Sequence, residues 1–261
     1  METPVQGARA RVEALNEELL HRAPQDILDA ALRRYPRDRI ALSFSGAEDV
    51  ALVDMAVRLR PDLRVFTLDT GRLPPETYEF LDRVRSHYGI PIEVYTPDTG
   101  AVQRLVSDKG FFSFYRDGHE ECCGLRKVEP LRRALRTVDA WITGQRRDQS
   151  PGTRSGIPVV QIDPTFQDIR PDLVKFNPLA LWSSAQVFAY LIDHRVPVNP
   201  LHQPLVNAGG DYRRLVAPAY VSLGCQPCTT LLLPGEHERA ARWRWEALTK
   251  KECGLHLGNT E

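Results

Sequence analysis

Short apolar runs separated by amphipathic stretches set the pattern of this chain. Residues 40–44, Ile-Ala-Leu-Ser-Phe, suit a parallel strand buried on both faces. Similar runs occupy 65–69, 92–95 and 140–144, with shorter ones at 159–162 and 175–177. Between them the spacing predicts helices over 48–59, 75–88, about 127–136 and 183–193. Pro61 stops the first, Pro75 opens the second, and Ser183 or Ser184 caps the last. Residues 5–34 read as helical material up to a break at Tyr35-Pro36-Arg37-Asp38, with Leu15, Leu19, Leu20, Ile27 and Leu28 as core contacts.

This alternation predicts an α/β fold: a mostly parallel sheet flanked by helices, with right-handed crossovers. Ligands of such a sheet sit outside the carboxyl ends of its strands. The loops 43–49, 69–72 and 144–154 all fall there. From about Pro197 the chain is irregular and reads as a cysteine-bearing C-terminal extension over the sheet. A helix is expected over 236–248, held down by Trp243 and Trp245. The expected division is a single nucleotide-binding domain over 1–248 and a mobile catalytic tail over 249–261.

At 261 residues and 42% hydrophobic, the chain can bury a substantial core. Its formal net charge of +0 provides no global field for nucleic acid or membrane, and neither is expected as a partner. No stretch reads as a bilayer span or a signal-peptide core, so the expected compartment is the cytoplasm. Clustered cysteines there more often mean metal or catalysis than disulfides.

The loop Ser43-Phe44-Ser45-Gly46-Ala47-Glu48-Asp49 offers hydroxyls, a glycine turn and free amides at a helix start, which suit an anion. It is neither a Walker A sequence nor a dinucleotide fingerprint, and an ordinary tight turn is the plain alternative. Leu68-Asp69-Thr70-Gly71-Arg72 ends the second strand. Gly144-Gln145-Arg146-Arg147-Asp148-Gln149-Ser150 ends the fourth, with Arg154 soon after. The planar forks of these arginines suit sulfate or phosphate oxygens. A solvated basic loop paired with Asp148 is the alternative.

Five cysteines divide as four plus one. Cys225 and Cys228 form a CysXXCys pair, and Cys122 and Cys123 are adjacent. Neighbouring side chains point apart by default, so joint ligation calls for a sharp bend in the backbone. A bulky [4Fe–4S] cluster eases that geometry, and four-thiolate zinc is the rival. Arg126 and Lys127 would offset the thiolate charge; His119, Glu120 and Glu121 read as a solvated face. Cys253 stands alone beside Lys250 and Lys251, where a thiol gains thiolate character, with His256 close by; a bystander thiol at a loose chain end is the alternative.

Together these segments resemble the bacterial assimilatory adenylylsulfate reductases, within the wider phosphoadenylylsulfate reductase family. The motifs that carry the resemblance are Ser45-Gly46-Ala47-Glu48-Asp49-Val50, Thr70-Gly71-Arg72-Leu73-Pro74, Cys122-Cys123-Gly124-Leu125-Arg126-Lys127, the Gly144 to Ser150 run, Cys225-Gln226-Pro227-Cys228, His237-Glu238-Arg239 with Arg242, and Glu252-Cys253-Gly254-Leu255-His256. The resemblance implies an adenine nucleotide α-hydrolase-like (Rossmann-like) fold and a [4Fe–4S] cluster on Cys122, Cys123, Cys225 and Cys228. It implies Cys253 as nucleophile, with Lys127, Arg154, Arg239 and Arg242 holding the phosphosulfate; His256, close to Cys253 in sequence, is a candidate to hydrogen-bond substrate or hold the tail. Ser43, Ser45, Gly46, Asp49, Leu68 and Gly144 would seat the nucleotide.

The implied activity is thiol-dependent reduction of adenosine 5'-phosphosulfate to sulfite and AMP, with reduced thioredoxin or a glutaredoxin-like donor and a homo-oligomeric assembly. In that family the two cysteine pairs accompany substrate without a 3'-phosphate. A reductase of the 3'-phosphorylated nucleotide is the first alternative, an ATP pyrophosphatase-type enzyme the second, and a zinc-bound interaction module the third. Two departures stand out: extra length around 206–218, and Thr230 where the family commonly has arginine.

Overall fold

The computed structural model describes residues 4–150 and 153–246. Six strands form one sheet: β1 (Ile40–Ser43), β2 (Val65–Leu68), β3 (Ile92–Tyr95), β4 (Ala140–Ile142), β5 (Val160–Ile162) and β6 (Val174–Phe176). Their spatial order is β3-β2-β1-β4-β6-β5, parallel throughout except for the β5–β6 pair. Side chains alternate between the faces. Ile40, Leu42, Val65, Ala140 and Ile142 enter one core, while Ala41, Phe66 and Trp141 enter a second. Both faces are covered, which explains why the strands lack a polar side.

The helices follow the chain as α1 (Pro4–Leu19), α2 (Pro24–Arg34), α3 (Ala47–Leu59), α4 (Pro75–Tyr88), α5 (Thr99–Lys109), α6 (Phe114–Asp117), α7 (Glu120–Cys123), α8 (Glu129–Leu135), α9 (Ser184–Asp193) and α10 (Gln203–Asn207). Helices α1 to α4, α9 and α10 supply the first core. Helix α8 covers the second through Leu131, Ala134 and Leu135. Ser183 caps α9 by accepting from Gln186 N. Among the described residues, no helix is long and apolar enough to cross a membrane.

Three expectations change. The first helical region is two helices, parted between Leu19 and Pro24. The helix expected from Lys127 starts at Glu129, after α7 and a π-helical stretch, Gly124–Val128. The expected helix over 236–248 is absent from its described part, where residues 234–246 run through turns, bends and a single bridge. Side chains tie the backbone back on itself there: Arg244 reaches Glu236 and Leu231 O, and Arg242 reaches Leu223 O. Trp243 sits at a φ of 42°, which a helix does not allow. Helix α5 carried no expectation, because Leu105 is its one buried side chain.

Residues 206–218 fold onto their own chain. Tyr212 and Leu215 are in the core, and Arg213 donates to Asp148 at 2.6 Å. Gly210 adopts a φ of 78° under Phe188, and its carbonyl accepts from Ser184 Oγ.

One buried carboxylate joins three helices. Asp54 of α3 accepts from Tyr190 Oη of α9 at 2.6 Å, from Tyr88 Oη of α4 at 3.0 Å, and from Arg58. Tyr190→Phe is expected to cost roughly 2 kcal/mol, the worth of a hydrogen bond to a charged group. Chemical denaturation should show that loss.

Candidate active site

The loops after β1, β2 and β4 open into one cleft of about 1370 Å³, its mouth included. Parallel strands deliver their carboxyl ends to the same edge, so the loops meet there. Ser43, Ser45, Gly46, Asp49, Leu68 and Gly144 line the cleft. So do Lys127, Arg154, Arg239 and Arg242. The cysteine and histidine singled out in the tail, Cys253 and His256, lie outside the described residues.

Asp49 knots two of these loops together. Ser45 N and Ser45 Oγ donate to its Oδ2 at 2.8 Å, and Gly46 N donates at 3.2 Å. Gly144 N donates to Oδ1 at 2.9 Å. The amides of Ser45 and Gly46, expected to be free for an anion, therefore serve the chain's own carboxylate. Burial raises the Asp49 pKa to about 6, against the pull of these bonds. Gly144 is needed for the approach: a Cβ there would come within 2.5 Å of Asp49 Oδ1 and of Glu48 Cβ.

The three arginines after β4 part company. Arg146 is fully buried, and its Nη2 pairs with Glu48 at 2.8 Å and Glu238 at 2.6 Å. It is an internal cation between two carboxylates, which corrects its reading as an anion ligand. Burial pushes Glu48 up, but the charge and hydrogen bonds of Arg146 outweigh it and leave its pKa low. Glu238 is raised, chiefly by burial. Arg147 donates to Ile157 O at 2.8 Å. Arg154 reaches the cleft and donates to Gln149 Oε1.

Beside the cleft lies a second, much smaller cavity. Cys122, Cys123, Cys225 and Cys228 line it, all four buried. Arg72, Arg126 and Lys127 line it too, and Lys127 also faces the cleft. No sharp bend was needed at the adjacent cysteines. Cys123 has helical dihedrals, φ −68° and ψ −37°, and the π-helical turn begins directly after it. Helical neighbours diverge by about 100°, less than in a strand, so both can face one cavity.

Three other contacts shape this cavity. Cys225 Sγ lies 3.2 Å from Thr70 Oγ1. Arg126 Nη1 donates to Thr70 O at 2.6 Å, and Gln226 N donates to Arg72 O at 2.8 Å. The turn after β2 is thereby stitched to the CysXXCys turn. Burial raises the Cys122 thiol, opposed by Arg72, Arg126 and Lys127. Cys225 is lowered by its bond to Cys228 and by Lys127, despite burial.

His119 overturns another expectation. It is 1% exposed, stacked on Trp243, and bonded through Nδ1 to Glu246 at 2.6 Å. The acidic residues beside it had disguised it as part of a solvated face. His202, Thr70, Arg72 and Glu238 also belong to the two cavities. Thr70 and Arg72 had a sequence signal in the turn after β2, and Glu238 stood in the His237-Glu238-Arg239 motif without a role; His202 is placed by tertiary packing.

Comparison with known proteins bears on what this arrangement is. The family described as "Phosphoadenosine phosphosulfate reductase domain" matches residues 39–231. An "Adenosine 5'-phosphosulfate reductase" of Pseudomonas aeruginosa is 53% identical over 246 residues, covering 94% of this chain and 86% of that protein. A "5'-adenylylsulfate reductase 1, chloroplastic" of Arabidopsis thaliana is 53% identical over 95% of this chain, which spans 51% of the plant protein. A crystal structure of phosphoadenylyl-sulfate reductase from Candida auris, a phosphate complex, superposes with a TM-score of 0.64 at 25% identity, covering 84% of this chain and 96% of that one. An FMN adenylyltransferase of Candida glabrata shares the fold alone, at a TM-score of 0.51 and 14% identity over 86% of this chain and 74% of its own.

Gly144→Ala should disrupt the loop junction, because the added methyl meets Glu48 and Asp49. AMP affinity measured by calorimetry is expected to fall at least tenfold, while far-ultraviolet circular dichroism stays that of the parent.

Proposed function

This chain belongs to the phosphoadenosine phosphosulfate reductase family, and we propose that it reduces adenosine 5'-phosphosulfate to sulfite and AMP through an S-sulfonate on Cys253. Relatives named for that activity match nearly its whole length. The observation that carries the reading is the cleft itself. It gathers the nucleotide-loop residues and the four cations Lys127, Arg154, Arg239 and Arg242 into one space. A nucleotide fixes one end, and a phosphosulfate supplies the anion that those cations answer.

The Cys253 thiolate attacks the sulfur of the phosphosulfate. A sulfur–sulfur bond forms, the bond from sulfur to the bridging oxygen breaks, and AMP leaves with that electron pair. Lys127, Arg154, Arg239 and Arg242 stabilise charge growing on the phosphate oxygens. Covalent catalysis divides one difficult transfer into two easier ones. A thiolate of a reduced thioredoxin-type donor then attacks Cys253 Sγ and expels sulfite with the bonding pair. The donor's second thiol resolves the mixed disulfide and restores Cys253. Cys253 has to serve both sites in turn, first substrate and then donor. His256 is assigned to hold the substrate or the tail.

Cys122, Cys123, Cys225 and Cys228 would hold a [4Fe–4S] cluster, which when bound supplies negative charge and fixed order beside Lys127. The residues fit such a group. Four buried thiols line one cavity, the donor set that such a cluster takes. Arg126 Nε and Arg72 Nη1 are buried there without hydrogen-bond partners among the described residues, which suits an anionic occupant.

Anaerobic protein mixed with adenosine 5'-phosphosulfate should gain the mass of one sulfonate on Cys253, released as sulfite by added thiol. Cys253→Ser should bind AMP normally yet acquire no adduct; an adduct at the parent level would sink the assignment. Iron and acid-labile sulfide analysis should return about four of each per chain. Zinc without sulfide would overturn the cluster.

A further inference from the structure

His202 lines the cleft at 2% exposure and takes no part in the sulfur chemistry. It closes a single 3-10 turn, Pro200–His202, that two bonds hold in place. Asn199 Oδ1 accepts from Leu201 N at 3.0 Å, and Asn199 Nδ2 donates to Thr77 Oγ1 of α4 at 3.1 Å. The imidazole meets Phe188 of α9 edge to face, with ring centroids 5.6 Å apart. Its Nδ1 lies 3.1 Å from Tyr220 O. A carbonyl can only accept, so Nδ1 carries the proton. Burial lowers the pKa of the ring, against the Tyr220 bond and the charge of Glu48, so the imidazole is neutral at pH 7. Nε2 is then a bare lone pair, and among the described residues it has no partner. A buried acceptor without a donor costs free energy that a ligand can recover by supplying one.

A nucleotide offers few donors. Each hydrogen-bonding edge of adenine sets its amino group beside a ring nitrogen that accepts. The ribose instead sets two hydroxyls side by side. Around His202 the cleft presents acceptor next to acceptor: Glu48 is near enough for its charge to act on the ring, and it lines the same cleft. Two acceptors answer a diol and mismatch either edge of the base. We propose that His202 Nε2 accepts a hydrogen bond from a ribose hydroxyl of the bound nucleotide, an inference that rests on the cleft being the adenosine 5'-phosphosulfate site. His202 then selects a ribonucleotide over a deoxynucleotide, because a sugar without that hydroxyl leaves the nitrogen buried and unpaired.

Calorimetry with the intact protein tests this with AMP, 2'-deoxy-AMP, 3'-deoxy-AMP and purine riboside 5'-monophosphate, which lacks the amino group. The parent should bind one of the two deoxynucleotides about fivefold more weakly than AMP, the worth of one hydrogen bond. His202→Phe keeps a flat ring and removes the lone pair. Its AMP Kd should rise about fivefold, while for that same deoxynucleotide parent and variant agree within twofold. His202→Gln offers an amide oxygen near the place of Nε2 and should bring the AMP Kd back to within twofold of the parent. An unchanged AMP Kd in His202→Phe overturns the inference. So does a loss of equal size with both deoxynucleotides, which marks a structural role. A loss that vanishes only with purine riboside monophosphate overturns it too, since the contact is then to the base. Should His202→Phe fail to fold, His202→Leu decides by the same criteria. A parent that binds no AMP would instead remove the nucleotide reading of the cleft, and this contact with it.

Discussion

Arg126, Lys127, Arg146, Arg154 and Arg242 are all almost fully withdrawn from water around one cleft and the cavity beside it. Burying a cation is costly unless something answers its charge. The chain answers part of it internally. Glu48 and Glu238 bracket Arg146, Thr70 O accepts from Arg126, and Leu223 O with the face of Trp243 receives Arg242. Gly224 makes that last arrangement possible, since a Cβ there would lie 2.2 Å from the Arg242 guanidinium. Lys127, Arg154 and Arg242 also line the cleft, so an anion held there would meet their charge.

Lys127 belongs to both spaces, and its place follows from the helix that carries it. Cys122 and Cys123 end one short helix, and the π-helical turn that follows places Arg126 and Lys127 beside the same sulfurs. A wider turn of this kind changes the direction of side chains without breaking the helix, a recurrent device at functional sites. The ammonium charge of Lys127 therefore bears on whatever anion occupies either space.

The sequence displayed the sheet well because its signal is local. Ile40-Ala-Leu and Ala140-Trp-Ile are buried on both sides, and unbroken apolar runs of that kind read as parallel strands by themselves. The cleft residues were legible for a related reason: strand-end loops of a parallel sheet have to meet. The failures share a different cause. Arg146 looked like an anion ligand because its partners, Glu48 and Glu238, are 98 and 92 residues away. His119 looked solvated because Glu246 and Trp243, which bury it, come from the far end of the chain. Residues 236–246 had helical composition, but long-range side-chain bonds from Arg242 and Arg244 outweighed that preference. Hydroxyls and amides around Ser45 advertised an anion cradle, yet Asp49 in the same motif had already claimed them.

Thr230 shows how far a departure at one position reaches. An arginine there would stand close after the CysXXCys pair and add charge near the sulfurs. In this chain Arg244 comes back to the position, its Nε donating to Thr230 Oγ1 at 2.8 Å. That guanidinium does not replace the missing cation. It forms a two-pronged pair with Glu236, whose pKa it lowers to about 2, and it donates to Leu231 O. Its charge is spent at the surface. The positive field acting on the Cys122 thiol comes from Arg72, Arg126 and Lys127. Two of these three sit in the turn that follows Cys122 and Cys123, and the third sits in the turn after β2. The charge that matters to the sulfurs is thus built into the elements that hold them, and the change at 230 rearranges the outer arm while leaving the inner balance in place.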